Sequence, residues 1–151
     1  MTAISIIVPC RNEASYIDSF LNSAYSQKEH LGAHSLEIVI ADGMSDDGTR
    51  EHLQEWQRRR PALVVIDNPE RITSTALNRA IECASGEIVV RMDVHTVYAS
   101  DYVVANAQIA AKAMFVQART AMLPDRAVNY CATTLMPIWV KSGFRMASLC
   151  F

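Results

Sequence analysis

Ile4-Ser5-Ile6-Ile7-Val8 runs directly into Pro9-Cys10-Arg11-Asn12-Glu13, and the same kind of junction recurs twice further along the chain. Ile38-Val39-Ile40-Ala41 runs into Asp42-Gly43-Met44-Ser45-Asp46-Asp47-Gly48-Thr49, and Ile88-Val89-Val90-Arg91-Met92 into Asp93-Val94-His95-Thr96. A short β-branched run bounded by polar and turn-forming residues reads as a buried strand. In an open α/β sheet, ligands sit beyond the carboxyl ends of parallel strands, so the three polar clusters are expected to line one crevice.

The segments between these strands are helical in pattern. Tyr16, Ile17, Phe20, Leu21, Ala24 and Tyr25 recur at helical spacing, which predicts an amphipathic helix over 14–26 with Asn12 as its cap. Ser45 to Thr49 can cap a second helix carrying Leu53 and Trp56, ended by Arg58-Arg59-Arg60-Pro61. Leu63-Val64-Val65-Ile66 is a further strand, closed by Asp67-Asn68-Pro69. Thr73 and Ser74 open a helix with Ala76, Leu77, Ala80, Ile81 and Ala84 on one face, and Gly86 is read as its stop. Strand 87–92 follows at once. The order β-α-β-α-β-α-β implies a mostly parallel sheet with helices on both faces. Ser100-Asp101 caps another helix over roughly 101–122, and beyond Pro124 the periodicity is lost.

A chain of 151 residues is long enough for one domain with a proper core. Half its residues are hydrophobic and 20% are charged, as in ordinary globular proteins. Residues 1–104 hold 9 Lys/Arg and 15 Asp/Glu, whereas residues 105–151 hold 5 and 1. The tail's basic residues are scattered, with no cluster of the kind that marks nucleic-acid binding. Cys10, Cys83, Cys131 and Cys150 have no paired spacing, so reduced thiols are expected and neither a zinc site nor a disulfide framework is. The longest uncharged stretch of the tail, from Ala127 to Val140, contains Pro137 and falls short of the roughly 20 apolar residues a membrane span needs. These features predict a soluble chain.

The residues able to carry chemistry lie at the strand ends. Asp42 can accept hydrogen bonds from a pyrimidine imide or a ribose hydroxyl, or it can simply cap the turn that follows. Asp46 and Asp47 read as caps or solvated turn residues. Asp93 and His95 alternate along an extended segment, so both can face one ligand. A carboxylate there can bind a divalent cation that bridges a diphosphate. Magnesium prefers oxygen and manganese tolerates imidazole, and the alternative for His95 is a hydrogen bond within the fold. Arg11, Arg71 and Arg91 could neutralise phosphates, Arg71 best of all from its loop before a helix. Asn78 either orients the Asp93 loop or lies on the surface. A dinucleotide-binding oxidoreductase is disfavoured, because only five glycines are present and no Gly-x-Gly-x-x-Gly follows the first strand. A phospho-receiver is disfavoured by the absence of acidic residues at the end of that strand.

Ile4–Asn12, Asp42–Thr49, Ala76-Leu77-Asn78 and Gly86–His95 together resemble the successive motifs of family 2 glycosyltransferases. The resemblance covers residues 4–104, and the Asp-Val-His form is most similar to the bacterial branch that builds exopolysaccharide repeat units. It implies a Rossmann-like GT-A fold and inverting transfer from a nucleotide-activated sugar to a glycan or lipid-linked acceptor. By that resemblance Pro9, Arg11 and Glu13 border the nucleotide and Asp42 reads the base. Asp93 and His95 stand in for the family's Asp-x-Asp and hold a divalent metal, manganese or magnesium. Two departures are evident: Gly43 where a second Asp often follows the first, and His95 where an Asp is usual. The resemblance further implies two parts, a nucleotide-sugar-binding domain over 1–104 and a helix plus atypical tail over 105–151. After Asp101 the tail holds one carboxylate, Asp125, in a context unlike the family's basic catalyst, so the general base is unassigned. The tail is read as a truncation or as the product of a shifted frame, and the fold as incomplete at its C-terminus. A second reading follows, in which the chain is an inactive remnant serving only as a nucleotide-binding or interaction module. An exposed sheet face in such a fragment would favour self-association. The expected location is the cytoplasm, or the inner face of the membrane.

Overall fold

The first strand shows why the chain folds as it does. In a computed structural model that describes residues 2–110 and 138–140, β1 (Ala3–Cys10) is buried on both faces. Its even-numbered side chains Ile4, Ile6, Val8 and Cys10 join one apolar cluster, and Ile7 joins another on the opposite side. This period of two continues across the sheet. β2 (Ser35–Asp42) pairs with β1 in parallel, Ile6 opposite Ile38 and Val8 opposite Ile40. β3 (Leu63–Asp67) pairs with β2, and β4 (Ile88–Arg91) with β1, both in parallel. The strand order is β3-β2-β1-β4-β5, where β5 (Ile138–Val140) runs antiparallel to β4. Sequence periodicity does not reveal β5, because three residues are too few to show one.

The helices cover the two faces unequally. α1 (Ile17–Ser26), α2 (Thr49–Arg59) and a helix over 102–110, labelled α4, pack on one face through Phe20, Leu21, Leu53, Val103 and Ala107. α3 (Thr73–Cys83) covers the other through Ala76, Ala80 and Ile81, small side chains that let it lie close to the sheet. The chain steps from β1 to β3 under one face and returns to β4 under the other, which is what a single crossover handedness requires. Each fully buried Ile or Leu in these clusters contributes about 1.5–3 kcal/mol.

Three local expectations are corrected. α1 begins at Ile17 rather than 14, and its cap position is Tyr16, which makes no side-chain capping bond. Asn12 instead turns left-handed (φ 57°) and its Oδ1 accepts the Asp46 N–H at 3.1 Å. Gly86 does not end α3: the helix stops at Cys83, and Gly86 lies outside the left-handed region. Its lack of a side chain serves a close approach, since a Cβ there would sit 2.6 Å from the backbone N of Ser5. Of the helix expected over 101–122, residues 102–110 are helical; the remainder, Asp125, Cys131 and Cys150 lie outside the described residues. Among the described residues no helix is long and apolar enough to cross a membrane.

Candidate functional site

The sheet order reverses at β1, whose neighbours β2 and β4 connect in opposite directions, and a crevice is expected there at the carboxyl ends. A cleft of about 330 Å³ occupies this position. Pro9, Cys10, Arg11 and Glu13 line it from the end of β1, and Gly43 from the end of β2. Asn68, Arg71, Ile72, Thr73 and Ala76 contribute from the β3–α3 junction, and Arg91, Asp93, Val94 and His95 from the end of β4.

The loops forming the cleft are fastened to one another by side chains of the Ser45–Thr49 segment. Ser45 Oγ accepts the Asn12 N–H at 2.8 Å, Thr49 Oγ1 accepts the Glu13 N–H at 2.7 Å, and Asp47 Oδ2 accepts the Ala14 N–H at 3.0 Å. Asp47 also receives the Thr49 hydroxyl at 2.5 Å, and that bond above all holds its carboxyl below the ordinary range. The cap position of α2 is Gly48, which makes no side-chain capping bond; Asp47, one residue before it, accepts the Thr49 N–H at 3.0 Å and so holds the turn that leads into the helix. Among the described residues three that are not glycine adopt left-handed backbone, Asn12, Met44 and Arg71, all in loops at the carboxyl ends of the strands. Such conformations cost about 1–3 kcal/mol and persist where the surroundings enforce them. At Arg71 the enforcing group is Asn68, almost fully buried, whose amide donates to the Ile72 carbonyl and accepts the Thr75 hydroxyl.

The charges of the cleft divide into paired and unpaired. Arg91 reaches Asp93 Oδ1 at 3.0 Å, and His95 Nε2 lies 2.7 Å from Glu13 Oε1, with the His95 ring set edge-on to Tyr16. Arg11 and Arg71 have no ion-pair partner among the described residues. Two guanidinium groups facing one crevice are suited to a diphosphate. Asp93 keeps its second oxygen, Oδ2, without a protein partner among the described residues, and its side chain is 44% exposed. The Cys10 thiol is pushed up to about 12, chiefly by burial and then by Asp42 and Glu13, which favours the protonated form.

Of the residues singled out in the sequence, Pro9, Arg11, Glu13, Arg71, Asp93 and His95 all line the cleft, and Arg91 joins them. Asp42 does not. Its side chain is 0% exposed, and its carboxylate accepts the Ser45 N–H (3.2 Å), the Ser45 hydroxyl (2.5 Å) and Arg50 Nη1 (2.7 Å). Arg50 also reaches Asp67 at 2.7 Å, and that bond is the main reason its pKa is raised. Asn78 is on the exposed side of α3. Arg50 is a residue the sequence reading passed over, although a signal existed: an arginine in the first turn of a helix opposes the helix dipole and so implies a carboxylate partner nearby.

Asp42→Asn is expected to weaken both the fold and ligand binding, because the amide presents a donor toward Arg50 and leaves a buried group unpaired, at about 1–3 kcal/mol. Asp46→Asn, in an exposed turn, is expected to alter neither. Thermal melts and calorimetric titration with UDP and GDP compare the two; indistinguishable variants would remove Asp42 from the site's framework.

With this geometry in view, the chain matches the Glycosyl transferase family 2 over residues 5–121. The chain belongs to that family. It is 40% identical over 103 residues to the succinoglycan biosynthesis protein ExoA of Rhizobium meliloti, covering 67% of this chain and 30% of ExoA. It is 31% identical over 91 residues to the glycosyltransferase AglE of Haloferax volcanii, covering 60% and 29%. The chain thus spans about 30% of the length of these relatives. Among solved structures it is similar to a mannosyltransferase from Pyrobaculum calidifontis in complex with GDP-Man and Mn2+ (TM-score 0.60, 34% identity, 70% of this chain and 31% of that chain). The family's Rossmann-like GT-A fold is also shared with S. aureus TarS in complex with UDP (TM-score 0.53, 23% identity, 80% and 33%).

Whether a divalent metal fits can be judged from the donors present. Among the described residues no three His, Cys, Asp or Glu side chains converge as a metal cage. One open carboxylate oxygen, in a cleft that Arg11 and Arg71 also line, suits an ion held partly by the ligand's phosphates, the way magnesium is usually bound.

Proposed function

We propose that the cleft is the donor site of an inverting glycosyltransferase of polysaccharide biosynthesis, binding a nucleotide-activated sugar for transfer to a glycan or lipid-linked acceptor. The observation that carries this reading is that Arg11 and Arg71, neither ion-paired among the described residues, line the same cleft as Asp93 at the β1/β4 switch point. The similarity to a protein named for succinoglycan biosynthesis, and to a mannosyltransferase solved with a nucleotide sugar and manganese, supports it.

In this reading Arg11 and Arg71 bind the diphosphate, with Pro9 and Glu13 bordering the nucleotide. Asp42, held by Arg50 and Ser45, sets the turn at Gly43 and with it the base end of the cleft. Asp93 through Oδ2, and His95 only through the ring nitrogen that Glu13 does not take, would hold manganese or magnesium, which when bound lowers the charge developing on a departing nucleoside diphosphate. The Glu13–His95 contact ties the β1 loop to the β4 loop across the mouth of the cleft. Inverting transfer also needs a base at the acceptor hydroxyl, and no residue among those described is assigned to it.

Asp93→Ala tests the metal assignment. The variant is expected to bind UDP or GDP as the unaltered chain does without metal, and to lose the gain that manganese gives. Calorimetric titration of both proteins with and without manganese reads this directly. A manganese gain that survives the substitution would place the ion elsewhere.

A further inference from the structure

Asp93 leaves β4 on a segment that has little regular structure of its own. Residues 92–101 form no strand or helix, and their internal backbone bonding includes a 3.2 Å bond from the Thr96 N–H to the Asp93 carbonyl. A loop so lightly tied needs side chains to fix it. The Asp93 N–H donates to the Tyr98 hydroxyl at 2.7 Å, so the phenol holds the backbone of the very residue whose carboxylate faces the cleft.

Tyr98 is fixed in turn. Its ring packs on Tyr102 at a centroid distance of 4.6 Å, inclined at 52°. The next carbonyl, that of Ala99, accepts Gln27 Nε2 at 2.9 Å, and Gln27 Oε1 accepts the Val103 N–H at 3.1 Å. Gln27 follows α1 in the 3-10 helix Gln27–His30 and is 1% exposed. A primary amide buried that deeply is destabilising unless both its ends are bonded. One end here goes to Ala99, next to Tyr98, and the other to α4, where Val103 N–H is one of the donors the first turn cannot satisfy internally. Gln27 thus caps α4 from a distant part of the chain.

We infer that Gln27 and Tyr98 form a brace that positions Asp93 for the metal-bound nucleotide, Gln27 fixing the start of α4 and Tyr98 relaying that position to the Asp93 backbone. Both are positioning residues acting through Asp93, and the inference rests on the donor-site reading for its ligand. An apolar side chain at 27 would fill the same space without bonding this loop, which is why a glutamine there points to placement rather than to packing alone.

The test uses the full chain with Tyr98→Phe, which keeps the ring and removes the hydroxyl, and Gln27→Met as the second variant. Amide hydrogen exchange without ligand is expected to quicken about tenfold in the 93–98 segment of Tyr98→Phe while the β1 and β2 amides stay unchanged. Gln27→Met is expected to quicken exchange over 99–103 as well. In calorimetry, Tyr98→Phe is expected to bind UDP with manganese about tenfold more weakly and without manganese unchanged. Unaltered exchange around Asp93 in Tyr98→Phe, or an equal loss with and without manganese, overturns the brace. If the unaltered chain gains nothing from manganese, the donor-site reading falls, and the exchange comparison still decides the brace by itself.

Discussion

Gly86→Ala is expected to lower the stability of the fold by about 3 kcal/mol or more, which for a chain of this size is a fall in Tm of roughly 10 °C. A Cβ at 86 would meet the backbone N and the Oγ of Ser5 at 2.6 Å and the carbonyl carbon of Ile4 at 2.9 Å. Those atoms belong to the central strand, which is bonded on both sides and cannot move aside. The same spot is a polar junction. Ser5, fully buried, accepts the Gly86 N–H at 2.8 Å and donates to Glu37 Oε2 at 2.6 Å, and that oxygen also accepts the Ser85 N–H at 2.9 Å. Displacing Gly86 therefore breaks bonds joining β1, β2 and the α3–β4 turn together. Gly32→Ala is the comparison: Gly32 has φ 56° but nothing within 4 Å of its missing Cβ, so it should lose only about 1 kcal/mol of backbone strain. Chemical denaturation of both variants checks this, and equal losses would show that strand β1 yields at Ser5.

Arg71→Ala is expected to weaken nucleoside-diphosphate binding by roughly 10–150-fold, the equivalent of about 1.5–3 kcal/mol for a charge-assisted bond. The loss should shrink as salt is raised, since a partly exposed phosphate contact is screened. The fold holds Arg71 left-handed at φ 59°, its N–H bonded to the Asn68 carbonyl at 3.0 Å, so the backbone that carries the side chain is set before any ligand arrives. Arg79→Ala is the control, an arginine paired with Glu70 on the surface at 2.6 Å and absent from the cleft. If both variants bind alike in calorimetry, Arg71 is not a phosphate contact.

Much of the architecture was legible because it rests on periodicity and strand-end chemistry. The apolar runs at Ile4, Ile38 and Ile88 are buried on both faces, and a continuous β-branched run signals that directly. The helix faces around Leu21, Leu53 and Ala80 were readable for the same reason. What escaped depends on pairs distant in sequence. The fastening of Asn12, Glu13 and Ala14 by Ser45, Thr49 and Asp47 spans more than thirty residues, so Asn12 looked like a helix cap when it serves the opposite loop. Gly86 looked like a helix stop because its role depends on Ser5, 81 positions away. At the site, the residues gathered in the cleft were identifiable by their places at strand ends, whereas the burial of Asp42 behind Arg50 depends on how α2 lies over the sheet. Gln27 gave no sign at all, since a glutamine in a polar stretch is indistinguishable from a surface residue until its partners at 99 and 103 are placed.

A donor site of this kind takes a nucleoside diphosphate with a divalent ion. Calorimetric titration of the unaltered full chain with UDP and with GDP, each with and without manganese, measures it most directly. Weak, saturable one-site binding of at least one of the two nucleotides is expected, strengthened by manganese. No binding of either, or equal affinity with and without the ion, would contradict it.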